Sequence, residues 1–185
     1  MSKFFEYYKT TEYEILGKKF KLTNITLRYK FKQNLTKNVY NFYDYTLQDG
    51  ERLDHVADMY YGSSKYVWVI VLANEMIDPL FDIPRPYNEF RKYLINKYGD
   101  WETVESGNHH YERVSVYKDE TTKITDLNPP ITVNQETYNN LFEKERRIVT
   151  NLEYEDQINE NKRTIKLLDS SQLNLIIELV EGVFE

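Results

Sequence analysis

The clearest pattern of apolar and polar positions lies between residues 42 and 99. A run of aromatic and β-forming residues at 42–46 predicts a short strand. Residues 65–73 are apolar on nearly all sides, which predicts a helix buried against several neighbours. A further helix is predicted over residues 87–98. Between the strand and the buried helix, four residues recur at the spacing of one helix face and predict an amphipathic helix: Leu53, Val56, Ala57 and Tyr60.

Turn and stop residues separate these elements. Asp49-Gly50 predicts a turn after the strand, because glycine readily adopts positive φ. Gly62 is placed to end the amphipathic helix as a left-handed cap, and Asn74 to end the buried helix. Residues 81–83 follow an Asp-Pro pair and are predicted to pair back with the first strand. Residues 42–99 are therefore interpreted as a small βαα(β) domain followed by one helix.

The segments before and after this domain show weaker patterns. Residues 1–41 are interpreted as an N-terminal arm that starts with aromatic residues. Alternating apolar and basic residues over 25–31 predict one strand within it. Residues 100–131 are interpreted as an extended linker region, with a candidate strand over 111–117 and a break at 128–130, where two prolines follow an asparagine.

Residues 132–185 are predicted to form a mainly helical C-terminal region. Sequences typical of capping boxes open two helices, over about 132–147 and 150–161. Residues 164–168 predict a short strand. A last helix follows, with four apolar residues on one face: Leu173, Ile176, Ile177 and Val180. The predicted fold class is α+β.

Composition narrows the classes of function. The formal charge of −6 disfavours a nucleic-acid binder, which presents a basic face to phosphates, and a polybasic membrane-surface protein. The longest apolar run, residues 66–73, is too short to span a bilayer, and the N-terminus lacks the apolar segment of a secretory signal. The absence of cysteine excludes disulfides and thiol nucleophiles. The 17 Tyr and 9 Phe residues suit surfaces that become buried on assembly.

Candidate chemical groups are present, but none forms a recognisable catalytic motif. His109 and His110 are expected on opposite faces of a strand, so with Glu112 they offer at most two ligands for a metal. The many carboxylates are interpreted as solvated helix faces. Trp68 lies in the most apolar helix, which favours a core position over an aromatic sugar platform. We therefore predict that the chain is not an enzyme and has no catalytic residue, metal, cofactor or small-molecule substrate.

Four runs within residues 45–74, beginning at Tyr45, Tyr60, Trp68 and Ala73, resemble a LysM module. Such modules bind N-acetylglucosamine polymers, so the resemblance implies peptidoglycan binding as an alternative function. Residues 77–84 depart from the closing strand of the family, Gly-x-x-Leu-x-Ile-Pro, and this departure falls on the wall of the glycan groove. The resemblance rests on Tyr45-Thr46-Leu47-Gln48-Asp49-Gly50-Glu51-Arg52-Leu53-Asp54-His55-Val56-Ala57, Tyr60-Tyr61-Gly62, Trp68-Val69-Ile70 and Ala73-Asn74.

A wider resemblance covers nearly the whole chain. Three features occur in this order: Phe4-Phe5, the LysM-like module with its Asp78-Pro79 exit, and residues 161–168 followed by an amphipathic helix. Together they resemble the baseplate wedge protein fifty-three family of T4-like contractile-tail bacteriophages. The resemblance implies a structural virion subunit of the tail baseplate, assembled in the host cytoplasm. It also implies a clamp that grips the wedge core-bundle subunits, touches the sheath-initiator protein and links neighbouring wedges.

Two sets of residues are predicted to carry this function. The first forms the core or interface of the module: Tyr45, Leu53, Val56, Ala57, Tyr60, Tyr61, Gly62, Trp68, Ile70 and Asn74. The second is expected to contact partner subunits: Phe4, Phe5, Tyr7, Tyr8, Ile165, Leu167, Leu173, Ile176, Ile177 and Val180.

Overall fold

The computed structural model describes residues 8–24, 30–31 and 41–178 of the chain. Helices and small antiparallel sheets are mixed along it, which confirms the α+β class. The chain divides into two compact units, Met1–Pro84 with Lys162–Glu185 and Arg85–Asn161. The second unit is thus inserted within the sequence of the first. This corrects the predicted division into four segments, 1–41, 42–99, 100–131 and 132–185.

The first unit begins with an antiparallel hairpin of β1 (Thr10–Ile15) and β2 (Lys18–Thr23). Leu16 and Gly17, with φ of 53° and 74°, form its two-residue turn. A turn with positive φ at both central positions matches the twist of a hairpin. Most of the strand predicted over 25–31 lies outside the described residues.

The module elements follow as predicted: β3 (Phe42–Thr46), α1 (Leu53–Tyr61), a 3₁₀ turn (Ser64–Tyr66) and α2 (Val67–Ala73). Gly62 ends α1 with a φ of 74°, which confirms the left-handed cap. Asn74 ends α2, also as predicted.

The strand that pairs with β3 is β7 (Thr164–Leu168), and α7 (Ser170–Glu178) follows it. The prediction that residues 81–83 pair with β3 is wrong, because they form a turn and bend. β7 pairs with β3 instead, because Ile165 and Leu167 lie on the face of the strand that is turned to the core. They are 2% and 1% exposed. The closing strand is therefore contributed from beyond the inserted second unit.

The second unit contains three strands and four helices, with one 3₁₀ turn: α3 (Tyr87–Tyr98), α4 (Trp101–Ser106), β4 (Asn108–Tyr117), β5 (Lys123–Val133), α5 (Gln135–Asn140), a 3₁₀ turn (Glu143–Glu145), β6 (Arg146–Thr150) and α6 (Asn151–Asn161). The strand order is β5-β4-β6, with both pairs antiparallel. α3 and α6 confirm the helices predicted over 87–98 and 150–161.

Two predictions for this region are wrong. Residues 100–131 are not an extended linker, because they include α4, β4 and most of β5. The predicted helix over 132–147 is confined to α5, and β6 follows it. Long-range pairing explains both corrections, since β4 supplies hydrogen-bond partners to strands that have little apolar character of their own. The prolines at 129–130 are tolerated because β5 is an edge strand.

Among the helices that the structure describes, none has the length and apolar character needed to cross a membrane.

Candidate docking surfaces

The predicted module residues lie together in the first unit, mostly in its core. Leu53, Val56, Ala57 and Ile70 are buried in one cluster with the inward side chains of β7. Trp68 is 8% exposed and lies in a neighbouring cluster with Leu168, Leu173 and Ile176. The structure therefore gives Trp68 a packing role and does not display it as an aromatic platform.

Tyr45, Tyr60 and Tyr61 are half-buried around this core. The hydroxyl of Tyr45 donates to the Glu51 carboxylate at 2.9 Å. The hydroxyl of Tyr61 donates to the Leu168 carbonyl at 3.0 Å. Burial raises the pKa of the Tyr61 hydroxyl. The hydroxyls of Tyr45 and Tyr61 are hydrogen-bonded within the unit, and all three tyrosine rings pack against its core.

Asn74 joins α2 to β7 through both atoms of its amide. Its Nδ2 donates to the carbonyls of Ile70 and Lys166, each at 2.8 Å. Its Oδ1 accepts from the Lys166 backbone N–H at 2.7 Å. Asn74 therefore ends the helix and also extends the hydrogen bonding of the closing strand, a role that its position in the sequence does not reveal.

The predicted partner contacts need a correction. Ile165, Leu167, Leu173 and Ile176 are between 0% and 7% exposed and pack against residues of the same chain, so they are not available to partners. Ile177 is half-buried against the same core, and Tyr8 is also half-buried. The remaining predicted contacts, Phe4, Phe5, Tyr7 and Val180, lie outside the described residues.

Residues 77–81 form a surface that the sequence patterns missed, which we name the apolar loop. Ile77 and Leu80 are each 79% exposed, and Phe81 is 53% exposed. Three large apolar side chains within five residues are unusual on a protein surface and mark interaction sites. The sequence signal for this segment was that residues 77–84 depart from the closing strand of LysM modules, and this departure did not predict exposed apolar side chains.

Hydrogen bonds give the apolar loop a defined shape. The Asp82 carboxylate accepts from the backbone N–H groups of Ile77 and Asp78 at 2.7 and 2.9 Å. The Asp78 carboxylate accepts from the Leu80 N–H at 3.1 Å. Lys162 donates to the Phe81 carbonyl at 2.7 Å. The backbone groups are thus held by side chains, while the apolar side chains are exposed.

The second unit contains two buried carboxylates. Glu155 is 4% exposed and bonds to Lys97, to the Tyr98 hydroxyl at 2.9 Å and to the Tyr93 hydroxyl at 3.3 Å. Burial raises its pKa, but the bond from Lys97 and those from the tyrosines outweigh this effect, so the pKa is lowered. A carboxyl group held in the ionised form is unsuited to act as a general acid.

Glu145 is the other buried carboxylate, at 3% exposed. It accepts from Arg113 at 2.6 Å and from the backbone N–H groups of Tyr117 and Phe142 at 2.8 and 3.2 Å. Burial raises the pKa of Glu145, but the bonds from these donors outweigh burial, so the pKa is lowered overall. Glu145 therefore joins β4 to the segment before β6 and has a structural role.

Stability is expected to fall in acid because of these two groups. Their lowered pKa values mean that they stabilise the fold above the unfolded value of about 4.3 and lose this contribution as pH falls below it. Urea unfolding at about pH 7 and about pH 3 would measure the effect. Glu155→Gln should be less stable than the wild type at the higher pH, and the difference should shrink at the lower pH. A difference that is independent of pH would contradict this assignment.

The contacts of the two histidines disfavour a metal site. A register shift between Asn108 and His110 disturbs the alternation of β4, so the His109 and His110 rings meet with their Nδ1 atoms 2.8 Å apart. The expectation that they lie on opposite faces is therefore wrong. Glu112 contacts the His110 ring at 3.2 Å and also accepts from Arg147 at 2.7 Å, and this guanidinium opposes a bound cation. Within the described residues no group of three or more potential ligands occurs.

Comparison with known proteins gives one result that covers the chain. A family model described as base plate wedge protein 53 matches residues 3–181. The matched range includes the hairpin, the module and the inserted second unit. No curated protein matches the chain.

Proposed function

This chain belongs to the family of base plate wedge protein 53, a family of structural proteins of the phage tail base plate, and on that premise we propose that it acts as a clamp within the wedge. Membership makes it a virion component that interacts with other base plate proteins. In the proposed role it grips the wedge core-bundle subunits, contacts the sheath-initiator protein and links adjacent wedges. We place its assembly in the host cytoplasm. The family match over residues 3–181 carries this proposal.

The apolar loop supports a docking role for the first unit. Its side chains are exposed while its backbone is held by Asp78, Asp82 and Lys162. A surface whose shape is already set loses little conformational entropy on binding. The carboxylates of Asp78 and Asp82 remain beside the apolar side chains, so a basic rim around an apolar recess would complement the loop.

Reconstitution of the wedge tests the clamp. The purified chain would be mixed with the other wedge proteins of the same phage, and assembly would be followed by sedimentation and electron microscopy. We expect the chain to cosediment with the wedge, and ring-shaped base plates to form only in its presence. A chain that stays monomeric and ignores every wedge protein would refute the proposal.

Substitution within the apolar loop tests its part in docking. Ile77→Ser combined with Leu80→Ser should weaken binding to the wedge by about tenfold or more, because burial of each side chain stabilises a complex by about 1.5–3 kcal/mol. The melting temperature should be unchanged, since both side chains are mostly exposed. Met59→Ser is the matched control, because Met59 is 60% exposed on α1. Equal binding by the loop variant and the control would remove the loop from the interface.

A second candidate function is binding of peptidoglycan by a LysM-like module. The order β3, α1, α2, with β7 antiparallel to β3, supports this alternative. Retention of the chain on insoluble peptidoglycan, and its release by N-acetylglucosamine oligomers, would be measured. Absence of retention, with wedge binding intact, would leave only the assembly role.

A further inference from the structure

The hairpin of β1 and β2 separates its charged and apolar side chains onto opposite faces. On one face Glu12 lies opposite Lys21, and Glu14 lies opposite Lys19. The other face carries Tyr13 opposite Phe20, flanked by two further cross-strand pairs: Thr11 with Leu22, and Ile15 with Lys18. The charged face needs no partner to balance its charge, because residues of opposite sign lie directly opposite each other across the strands.

The apolar face is exposed to solvent. Tyr13 and Phe20 are 42% and 43% exposed, and Ile15 and Leu22 are 54% and 48% exposed. Among the residues that the structure describes, no buried cluster includes any of them. This apolar face therefore contributes to none of these clusters, in contrast to the inward face of β7.

The turn at the tip adds a further apolar group. Leu16 is 98% exposed and has a φ of 53°. Positive φ is unfavourable for leucine, and asparagine would suit this turn better. The Leu16 backbone forms the turn, but its side chain is almost fully exposed and packs little against the hairpin, so the side chain suits an external contact.

An isolated two-stranded hairpin is only marginally stable in water, and it needs a surface to cover its apolar face. The area of this face argues against a second copy of the chain as that surface. Four half-exposed side chains present roughly 400 Å² if each large side chain has about 200 Å² in total. A stable interface buries about 800 Å² on each partner. A face of this size therefore suits one part of a larger contact with a different protein.

The charges indicate what kind of surface fits. The apolar face carries a single charge among its three cross-strand pairs, Lys18 at the end near the tip. The charged face has two acidic and two basic residues, so it favours neither a cationic nor an anionic partner. An anionic membrane would favour a net basic surface. An apolar groove that is uncharged where it covers Tyr13, Phe20 and Leu22 complements this pattern, with an acidic residue beside its end to receive Lys18.

We propose that the apolar face of the hairpin, Tyr13, Ile15, Phe20 and Leu22, docks into an uncharged apolar groove of another base plate protein, with the charged face left in water. Leu16 enters the groove first as the tip of the hairpin. This proposal rests on the proposed wedge function and assigns the part of the interface that the hairpin forms.

The test compares two neighbouring cross-strand pairs in the full chain. Tyr13→Thr with Phe20→Thr removes the centre of the apolar face, and Glu12→Thr with Lys21→Thr removes the adjacent charged pair. Threonine keeps strand propensity in both variants, and neither changes the net charge. Binding would be measured to purified wedge assembled from the other base plate proteins of the same phage. The apolar variant should bind about tenfold more weakly or worse, and the charged variant within about twofold of the wild type.

Hydrogen exchange of residues 10–23 gives an independent measurement. These amides should exchange rapidly in the free chain and slowly in the wedge complex. Equal binding by the apolar variant, without protection of the hairpin, would overturn the inference while the wedge function stands. Failure of the wild-type chain to bind would instead overturn the wedge function.

Other occupants of the face have distinct signatures, and each would overturn the proposal. Protection already present in the free, monomeric chain would mean that another segment of the same chain covers the face. Concentration-dependent dimerisation that the apolar variant abolishes would identify a second copy. Binding to vesicles of phosphatidylethanolamine and phosphatidylglycerol that the apolar variant abolishes would identify a membrane.

Discussion

Trp68→Ala is expected to lower the free energy of unfolding by about 3–5 kcal/mol, the usual cost of removing a buried aromatic side chain. Trp68 is 8% exposed on α2, and its cluster joins that helix to β7 and α7 through Leu168, Leu173 and Ile176. The variant leaves a cavity at the point where the closing strand and the last helix meet the module. The loss should therefore affect the whole first unit.

Urea unfolding followed by circular dichroism would measure this effect. Met59→Ala is the matched control on α1, because Met59 is 60% exposed, and its expected change lies within about 0.5 kcal/mol. Trp68→Phe should fall between the control and the alanine variant, since phenylalanine fills part of the cavity. An unchanged unfolding midpoint for Trp68→Ala would show that the side chain is not buried.

Gly107→Ala is expected to lower the free energy of unfolding by about 2–3 kcal/mol through overpacking. A Cβ at this position would overlap the Thr103 carbonyl and the Asn151 side chain. Neither neighbour can move easily. Gly107 N–H donates to that carbonyl at 3.0 Å, and the Asn151 N–H donates to the Gly107 carbonyl at 2.9 Å. Asn151 Nδ2 also donates to the Thr103 carbonyl at 3.0 Å, so the end of α4 and the start of α6 are joined at one point.

Gly62→Ala provides the comparison for this prediction. Gly62 has open space around the position of a Cβ, but its φ is 74°, so alanine should cost only about 1 kcal/mol of backbone strain. Thermal unfolding of both variants would rank them. A smaller loss for Gly107→Ala than for Gly62→Ala would contradict the steric argument.

Local patterns predicted the elements whose stability depends on their own residues. The apolar stripe Leu53, Val56, Ala57 and Tyr60 indicated α1, and Gly62 indicated its end. The alternation of Ile165 and Leu167 indicated β7. In each case the apolar spacing selects one backbone conformation, because only that conformation puts the apolar side chains on one face.

The same patterns were wrong where a partner strand decides the structure. Residues 123–131 have few apolar residues and two prolines, so they resembled part of a linker, yet they belong to β5, which pairs with β4 as an edge strand. Residues 143–147 resembled the end of a helix, but Glu145 bonds to Arg113 and to the backbone of β4, and β6 follows. The Glu145 contacts join residues 32 and 28 positions apart, and the β4–β5 register extends to the pair Tyr111 and Val133. A short window of local sequence does not contain most of these contacts.

The candidate site was predicted least well, because exposure depends on what the rest of the chain covers. Leu173 and Ile176 resembled the docking face of an amphipathic helix, but β7 and α2 cover that face. Ile77 and Leu80 stood out in the sequence only as part of a departure from the LysM closing strand, and their exposure was not predicted, yet they are mostly exposed. An apolar stripe indicates that a face is buried, and it does not indicate whether the same chain or a partner buries it.

The sequence by itself determined the family of this protein, its α+β class and the module helices, because these depend on the types and spacing of nearby residues. Only the tertiary structure decided that β7, which follows the inserted unit in the sequence, closes the module and that Asn74 joins α2 to β7. The exposure of the apolar loop and of the hairpin was also decided at this level. These properties depend on which distant segments meet. A difference of a few kcal/mol between competing pairings selects among them, and this difference is distributed over contacts that local patterns do not contain.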